Sequence, residues 1–310
     1  MIEVTGKGGI TVRVLADSIS ARGIRLTTFE LEYQRFFHSE FMTHKMLSKN
    51  SASTRAIPVA RAIQLIKERP AMPIHWGLNN PGMQSNTEMD ETRREAAEAS
   101  WLASMDSAIA FANVMSDKDG INGHKQWVGR VLEPYSFMKV VCTGTEYANL
   151  FALRHHRDAQ PEFFELSDCM IRARAMSVPK QLKPGQWHLP YVDFVEGRYF
   201  VGGVEVPLDI ARKVSASCCA QASYRRLDDT VEKALDIFEK LKLDGVSSDP
   251  KHASPVEHQA TPMDDLTIPF NPNTWENGIT HVRRDGSLWS GNLRGWVQYR
   301  QLIPNESVWD

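Results

Sequence analysis

Apolar and polar side chains alternate along "ITVRVLAD" (residues 10–17) and "IRLTTFELEY" (24–33), a period of two that predicts two strands joined near Gly23 into a short opening sheet. From Glu32 to Ser48 the period changes. Phe37, Phe41 and Met42 recur at helical spacing and Glu40, His44 and Ser48 fall four apart, which predicts a helix with a polar stripe. "PVARAIQLIKERP" reads as a short helix stopped by Pro70, and the turn formers of 70–88 as an ordered excursion of the kind that lines sites. Residues 89–116 carry the strongest helical pattern, with acidic residues in the first turn to complement the helix dipole, and read as a core or interface helix. A helix near Thr145 to Leu153 precedes another in "DAQPEFFELSDCMIRARAM", where Asp158 is placed to cap and Pro161 sits in the first turn. "ARKVSASCCAQASYRR" and "DTVEKALDIFEKLKLDG" predict two more helices, the second stopped by Gly245, and "GWVQYRQLI" fits either a strand or a helix.

Composition narrows the class. The 310 residues, 42% hydrophobic and 24% charged, can bury a substantial core and imply one large domain or two intimate ones. A net charge of -2, from 36 basic and 38 acidic residues, supplies no excess positive field for a nucleic-acid backbone. Cys142, Cys169, Cys218 and Cys219 form no CxxC pair and lie in apolar surroundings, which fits a reducing, cytoplasmic compartment. The N-terminus has no continuous apolar run of the signal type, and no window approaches the roughly 20 apolar residues of a membrane span, so a soluble protein is expected. There is no GxGxxG after a strand and no GxxxxGK[ST], so a dinucleotide bound here is not held by either common glycine-rich device.

Several stretches carry candidate chemistry. Residues 48–55, "SKNSASTR", gather small hydroxyls, an amide and a guanidinium, the donors of a phosphate or ribose-phosphate cradle; a solvated loop capping the next helix is the plainer alternative. His44, beside Lys45, could hold an anion or a flavin carbonyl. In "LRHHRDAQPE", Arg154 and Arg157 with two histidines precede a helix N-terminus, a local positive field suited to an oxyanion developing on a substrate ring. Zinc is disfavoured: His155 and His156 are adjacent, so their side chains point about 100° apart on a helix, and no third ligand has suitable spacing. "HASPVEHQATP" holds His252, Glu257 and His258 without HExxH spacing, and Pro255 breaks the helix such a site needs. A loop that donates Ser254 and His252 to a ligand and a plain turn both fit it. Cys218 and Cys219 lack an electropositive setting and read as buried thiols.

Taken together, "THKMLSKNSASTRAIP", "TEYANLFALRHHRDAQPEF", "KPGQWHLPYV", "AQASYRR", "HASPVEHQATP" and "SGNLRGWVQYRQLIP" resemble the flavin-dependent thymidylate synthases, particularly the longer form common in bacteriophages. The resemblance runs from about residue 25 to the end. The family signature is Arg-His-Arg, seven residues, then Ser; the corresponding tripeptide here is Thr43-His44-Lys45, with Ser53 at the matching offset. His44, Ser48, Asn50, Ser53 and Arg55 match, Thr43 replaces an arginine, Lys45 keeps charge without the bidentate fork, and Ser51 replaces an acidic residue.

The resemblance implies an α+β fold, helices on a small mixed or antiparallel sheet without a Rossmann motif, in a single domain over 1–310 with excursions at 70–88 and 259–290. It implies reductive methylation of dUMP to dTMP with FAD, NADPH and methylenetetrahydrofolate, no cysteine nucleophile, and a homotetramer with sites at subunit interfaces. Arg154 aligns with the arginine that grips the pyrimidine, and His44 joins it as a catalytic candidate. Ser51, Ser53, Arg55 and Arg130 fall on the substrate side, with Arg130 standing for an arginine contributed across a subunit boundary. His44, Lys45, Ser48, Asn50, Asn149, Asp158, Ser223 and Ser254 fall on the cofactor side. Asp158 stands where compact enzymes carry a histidine. Ser223 and Ser254 follow the main signature, whereas the compact enzymes place their counterparts near the N-terminus, which implies a permuted or re-wired order. Two alternatives stay open: a methylase or hydroxymethylase of another pyrimidine deoxynucleotide such as dCMP, and a nucleotide-binding homologue without catalysis.

Overall fold

The computed structural model describes residues 2–223, 227–243 and 251–307. The alternating N-terminal segments are strands β1 (Ile2–Thr5), β2 (Thr11–Ser20) and β3 (Arg25–Gln34). Gly23 turns the chain between the last two at φ 76°, a backbone conformation that L side chains rarely adopt. Then come α1 (His38–Met42), β4 (Ser48–Ser51), α2 (Val59–Glu68) and α3 (Glu91–Ser116). The carboxylate of Asp90 caps α3, accepting from the Arg93 N–H at 3.0 Å. Residues 70–88 hold a single bridge, Gly77 to Glu88. α4 (Lys125–Val128) leads to β5 (Phe137–Gly144), and α5 (Ala148–Arg154) and α6 (Pro161–Met176) meet at the HHRDAQ bend. Next are β6 (Lys180–Leu182), β7 (Asp193–Val195), β8 (Arg198–Val201), β9 (Val204–Val206), α7 (Leu208–Ala220) and α8 (Val231–Lys240). β10 (Ala260–Pro262), β11 (His281–Val282), β12 (Leu288–Ser290), β13 (Leu293–Arg294) and β14 (Trp296–Gln298) end the series.

The main sheet runs β1-β2-β3-β5-β4, antiparallel between neighbours, with β6 joined to β2 in parallel; the other strands form three small antiparallel sheets. This is an α+β architecture. One face of the main sheet is the core: Val12, Phe29, Leu31, Tyr33, Val140 and Cys142 pack against Phe163, Leu166 and Met170 of α6. The face opposite is polar. Thr28, Thr143 and Ser48 stand in one row across β3, β5 and β4. On this row sits a chain of buried hydrogen bonds: Ser18 Oγ to His188 Nδ1 (2.8 Å), His188 Nε2 to Thr28 Oγ1 (2.8 Å), Thr28 to Thr143 (2.7 Å), and Thr143 to His258 Nδ1 (2.8 Å). α3 buries only Met105, Ile109 and Ala112, against α2 and the segment around Val128 and Leu132, and leaves Phe111 and Val114 exposed.

Two sequence expectations are corrected here. The helix read over Glu32–Ser48 is confined to α1, because Tyr33 and Gln34 pair with Met138 and Phe137 and Ser48 pairs with Thr143, so both ends are claimed by β5. Glu40, His44 and Ser48 therefore share no helical face. Asp158 does not cap α6: the N-cap is Gln160, with Pro161 in the first turn and no side-chain bond, and Asp158 instead faces His156 and Arg157. The stop assigned to Gly245 lies outside the described residues; α8 ends at Lys240, with Lys242 turned to φ 60° just beyond. "GWVQYRQLI" is both things in turn, strand β14 and then a 3-10 turn over 299–302.

His188 and His258 are 1% and 0% exposed. Burial pulls each imidazole down from its ordinary value to about 3, with Asp17 opposing the shift at His188 and His188 adding to it at His258. Both rings are thus neutral in the folded chain down to about pH 3, while the unfolded chain protonates them below about pH 6.5. In that window the unfolded state binds more protons, so stability is full above it and is lost as pH falls through it. Chemical denaturation at pH 7 and pH 5 is expected to show a loss on the order of 2 kcal/mol for each buried ring. The double variant His188→Gln, His258→Gln is expected to be weaker at pH 7 but to lose less over the same interval. An equal loss in both proteins would contradict the neutral-ring arrangement.

Candidate functional site

The turn after α1 carries His44 and is held from β4. Lys49 Nζ donates to the carbonyls of Phe41 (3.2 Å), Met42 (3.4 Å) and His44 (2.6 Å), capping the helix end and fixing the turn. Arg154, the last residue of α5, donates from Nε to His44 Nε2 at 2.9 Å. Both groups lie on Phe163 of α6, whose ring meets the His44 imidazole edge-on at 5.6 Å and the Arg154 guanidinium at 4.7 Å. Partial burial first, and then the charges of Arg154 and Lys49, lower the His44 pKa to about 4. The imidazole is therefore neutral at pH 7 and accepts the guanidinium N–H. The terminal nitrogens of Arg154 have no partner among the described residues and can donate to a ligand.

β4 sorts the predicted cradle by strand alternation rather than as a loop. Ser48 and Asn50 face the C-terminal segment. Ser48 Oγ donates to Asn292 Oδ1 at 3.0 Å and accepts from Gln298 Nε2 at 3.3 Å. Asn50 donates to the Cys219 carbonyl at 2.5 Å and accepts from Ser254 Oγ at 3.0 Å. These three predicted cofactor residues, Ser48, Asn50 and Ser254, are brought together but bind one another and their scaffold. Ser51 projects to the other face with Lys49, the side on which the His44 turn lies, and its buried Oγ has no hydrogen-bond partner.

Beyond β4, Thr54 Oγ1 donates to Glu133 Oε1 at 2.7 Å, and the same carboxylate takes Arg130 at 2.8 Å and Arg35 at 3.0 Å. Ser53, Thr54, Arg35 and Glu133 line a cavity of about 320 Å³ whose remaining walls include Leu132 and Phe137. Arg55 and Lys45 are exposed, as is Asn149 in the first turn of α5. Asp158 is exposed and turned to His156 and Arg157. Ser223 lies in a short turn after α7, and its side chain falls outside the described residues.

Sequence reasoning missed Lys49, Phe163, Glu133 and Asn292. Phe163 has the signature of any buried aromatic on α6, Glu133 and Asn292 act through partners far along the chain, and Lys49 reaches the nearby carbonyls of Phe41, Met42 and His44 only because β4 folds back on the turn. Burial pushes the thiols of Cys142 and Cys218 up to about 12 and Cys169 up to about 11, so none is a thiolate near neutral pH. Glu165, Asp168 and Cys169 converge as metal-type ligands, yet Arg172 already binds Asp168 at 2.7 Å and Cys169 at 3.3 Å, supplying the cation itself. His155 stacks on Phe164 while His156 turns to Asp158, so the two histidines diverge.

No protein-family profile matches the sequence, and no curated protein matches it. Among solved structures, the UMP/dUMP methylase PolB from Streptomyces cacaoi bound with 5-Br UMP aligns at a TM-score of 0.43 and 16% identity, over 55% of this chain and 90% of that one. Its 5-Br dUMP form aligns at 0.42 and 15% identity, over 56% and 92%. The flavin dependent thymidylate synthase ThyX from Helicobacter pylori, complexed with FAD and dUMP, aligns at 0.32 and 16% identity, over 48% and 67%.

Replacing Arg154 by Ala removes a charge that depresses His44 and opens its ring to water. In histidine-resolved NMR titrations His44 is expected to move from about 4 toward the ordinary value near 6.5. An unmoved His44 would contradict the Arg154–His44 contact.

Proposed function

We propose that this chain is a flavin-dependent thymidylate synthase, reductively methylating C5 of dUMP with a one-carbon unit from methylenetetrahydrofolate. The observation that carries the reading is the Arg154–His44 pair on Phe163, an oriented guanidinium with terminal N–H groups left over for a ligand. Aimed at a pyrimidine ring, those groups stabilise the negative charge that develops on the ring oxygens as C5 becomes nucleophilic. His44 stays neutral and orients the guanidinium without competing as a second cation at the substrate. Ser51, with its unpartnered buried hydroxyl, and Ser53 and Arg55 supply donors to the nucleotide phosphate. Arg130, half-exposed beside Glu133, would serve a neighbouring copy's nucleotide in a homotetramer.

FAD, when bound, supplies the hydride chemistry, with NADPH as its reductant. The donor set fits such a group: exposed Lys45 and Asn149 and a neutral His44, all within or close in sequence to the Arg154–His44 pair. On this reading the flavin-side residues are His44, Lys45 and Asn149, while Ser48, Asn50 and Ser254 build the strand edge beside them. No protein thiolate is called for, in keeping with the raised thiol pKa values.

The test is tritium release from 5-tritiated dUMP. The Arg154→Ala variant is expected to lose about 100-fold or more in turnover, the scale of a lost oxyanion donor, and Arg154→Lys to retain part of it. Unchanged turnover in Arg154→Ala would overturn the assignment, and release from dCMP in preference to dUMP would shift the substrate base.

A further inference from the structure

The strands β11 to β13 have no part in the function proposed above, yet they touch both segments that carry the Arg154–His44 pair. Asn292, in the tight turn between β12 and β13, accepts from Ser48 at 3.0 Å, and Gly291 at φ 57° permits that turn. Arg294 reaches the segment ahead of α5: its backbone N–H donates to Thr145 Oγ1 at 3.1 Å and its Nε to Glu146 Oε1 at 2.5 Å. Arg283, just after β11, extends the other way and places Nη2 3.8 Å from Met46 Sδ, two residues beyond His44. The hairpin thus meets the chain at Ser48 and at 145–146, just ahead of α5, and through Arg283 it reaches Met46 in the turn that carries His44.

Arg294 and Arg283 differ in one respect. The charge of Arg294 is met by Glu146. Arg283 has no carboxylate within ion-pair distance among the described residues, and Asp285 nearby spends an oxygen on the Ser287 N–H (2.9 Å) and hydroxyl (2.7 Å). What holds Arg283 is the Trp289 ring, 4.0 Å from its guanidinium carbon, together with the Met46 thioether. Trp289 is a fixed platform: it is 2% exposed, its Nε1 donates to Ser287 Oγ at 2.9 Å, and His281 stacks on it at 5.9 Å. A guanidinium over an indole keeps its edge N–H groups available, and neither indole nor thioether neutralises its charge. Met46, which Arg283 reaches, follows Lys45 directly and lies two residues after His44, the partner of Arg154.

We propose that Arg283 is a further anion-binding residue of the Arg154–His44 site, contributed by the C-terminal hairpin and recognising phosphoryl oxygens of a bound nucleotide. The inference deepens the proposed function and rests on it only for the identity of the nucleotide. Phosphoryl groups can come from a mononucleotide or from the diphosphate of a dinucleotide cofactor, and the experiment separates the two. Dissociation constants for inorganic pyrophosphate, dUMP and FAD are measured by calorimetry on the full-length protein, for the wild type and for Arg283→Ala, Arg283→Gln and Arg283→Lys. Gln keeps a planar group on Trp289 without charge and serves if the Ala variant folds poorly.

Loss of one charge-assisted hydrogen bond predicts about tenfold or greater weakening of at least one ligand in the Ala and Gln variants, with Lys intermediate. Weakening of dUMP alone assigns Arg283 to a mononucleotide phosphate, and weakening of FAD alone to the diphosphate; either supports the proposal. Arg283-dependent binding of pyrophosphate without binding of dUMP or FAD also supports it, while sinking the function proposed above. Affinities for all three within twofold of the wild type in folded Ala and Gln variants, or no binding of any of them to the wild type, overturn it.

Discussion

The arrangement depends on a polar row buried beneath His188 and the segment from His258 to Gln298. Thr28, Thr143 and Ser48 stand side by side across β3, β5 and β4, and each must be matched by a partner once covered. His188, His258, Asn292 and Gln298 provide the match. An apolar interface tolerates sliding because its contacts are non-directional. A row of hydroxyls does not, since hydrogen bonds are directional and a displaced partner leaves a buried polar group unpaired. The seam therefore docks the later segment in one register, and that register carries Ser254 to Asn50 and the β12–β13 turn to Ser48.

The opposite face of the same sheet sets the chemistry. α6 covers it with apolar side chains, and Phe163 among them becomes the floor under Arg154 and His44. Lys49 alternates with Ser48 and Asn50 along β4, so one short strand both anchors the C-terminal segment and holds the turn that presents His44. Packing and site are in this sense a single construction: the core aromatic orients the cation, and the strand that closes the sheet orients its acceptor.

Much of the fold was legible because period-two and period-3.6 patterns survive wherever one face is buried. β2, β3, α2, α6, α7 and α8 are of this kind. β4 was not legible: Ser, Lys, Asn and Ser have little strand preference, and only pairing with β5, far along the sequence, makes them a strand. That same pairing cut short the helix read over 32–48. Asp158 has the chemistry of a cap, but Pro161 starts the helix two residues too late for it to serve. At the site, composition marked the 48–55 stretch and the Arg154 region, and family resemblance joined Arg154 to His44. Nothing in the sequence pointed to Phe163 or Arg283, or to the capping role of Lys49 within the marked stretch; these roles arise from what folding places beside them.

The central claim is that this arrangement holds a flavin next to a pyrimidine nucleotide. The most direct measurement is the visible absorption spectrum of the purified protein with FAD added, followed by titration with dUMP. Bound-flavin bands at roughly 370 and 450 nm that shift as dUMP is added are the predicted result, since cofactor and substrate would share one site. Failure to bind flavin under any condition, or a flavin spectrum indifferent to dUMP, would contradict it.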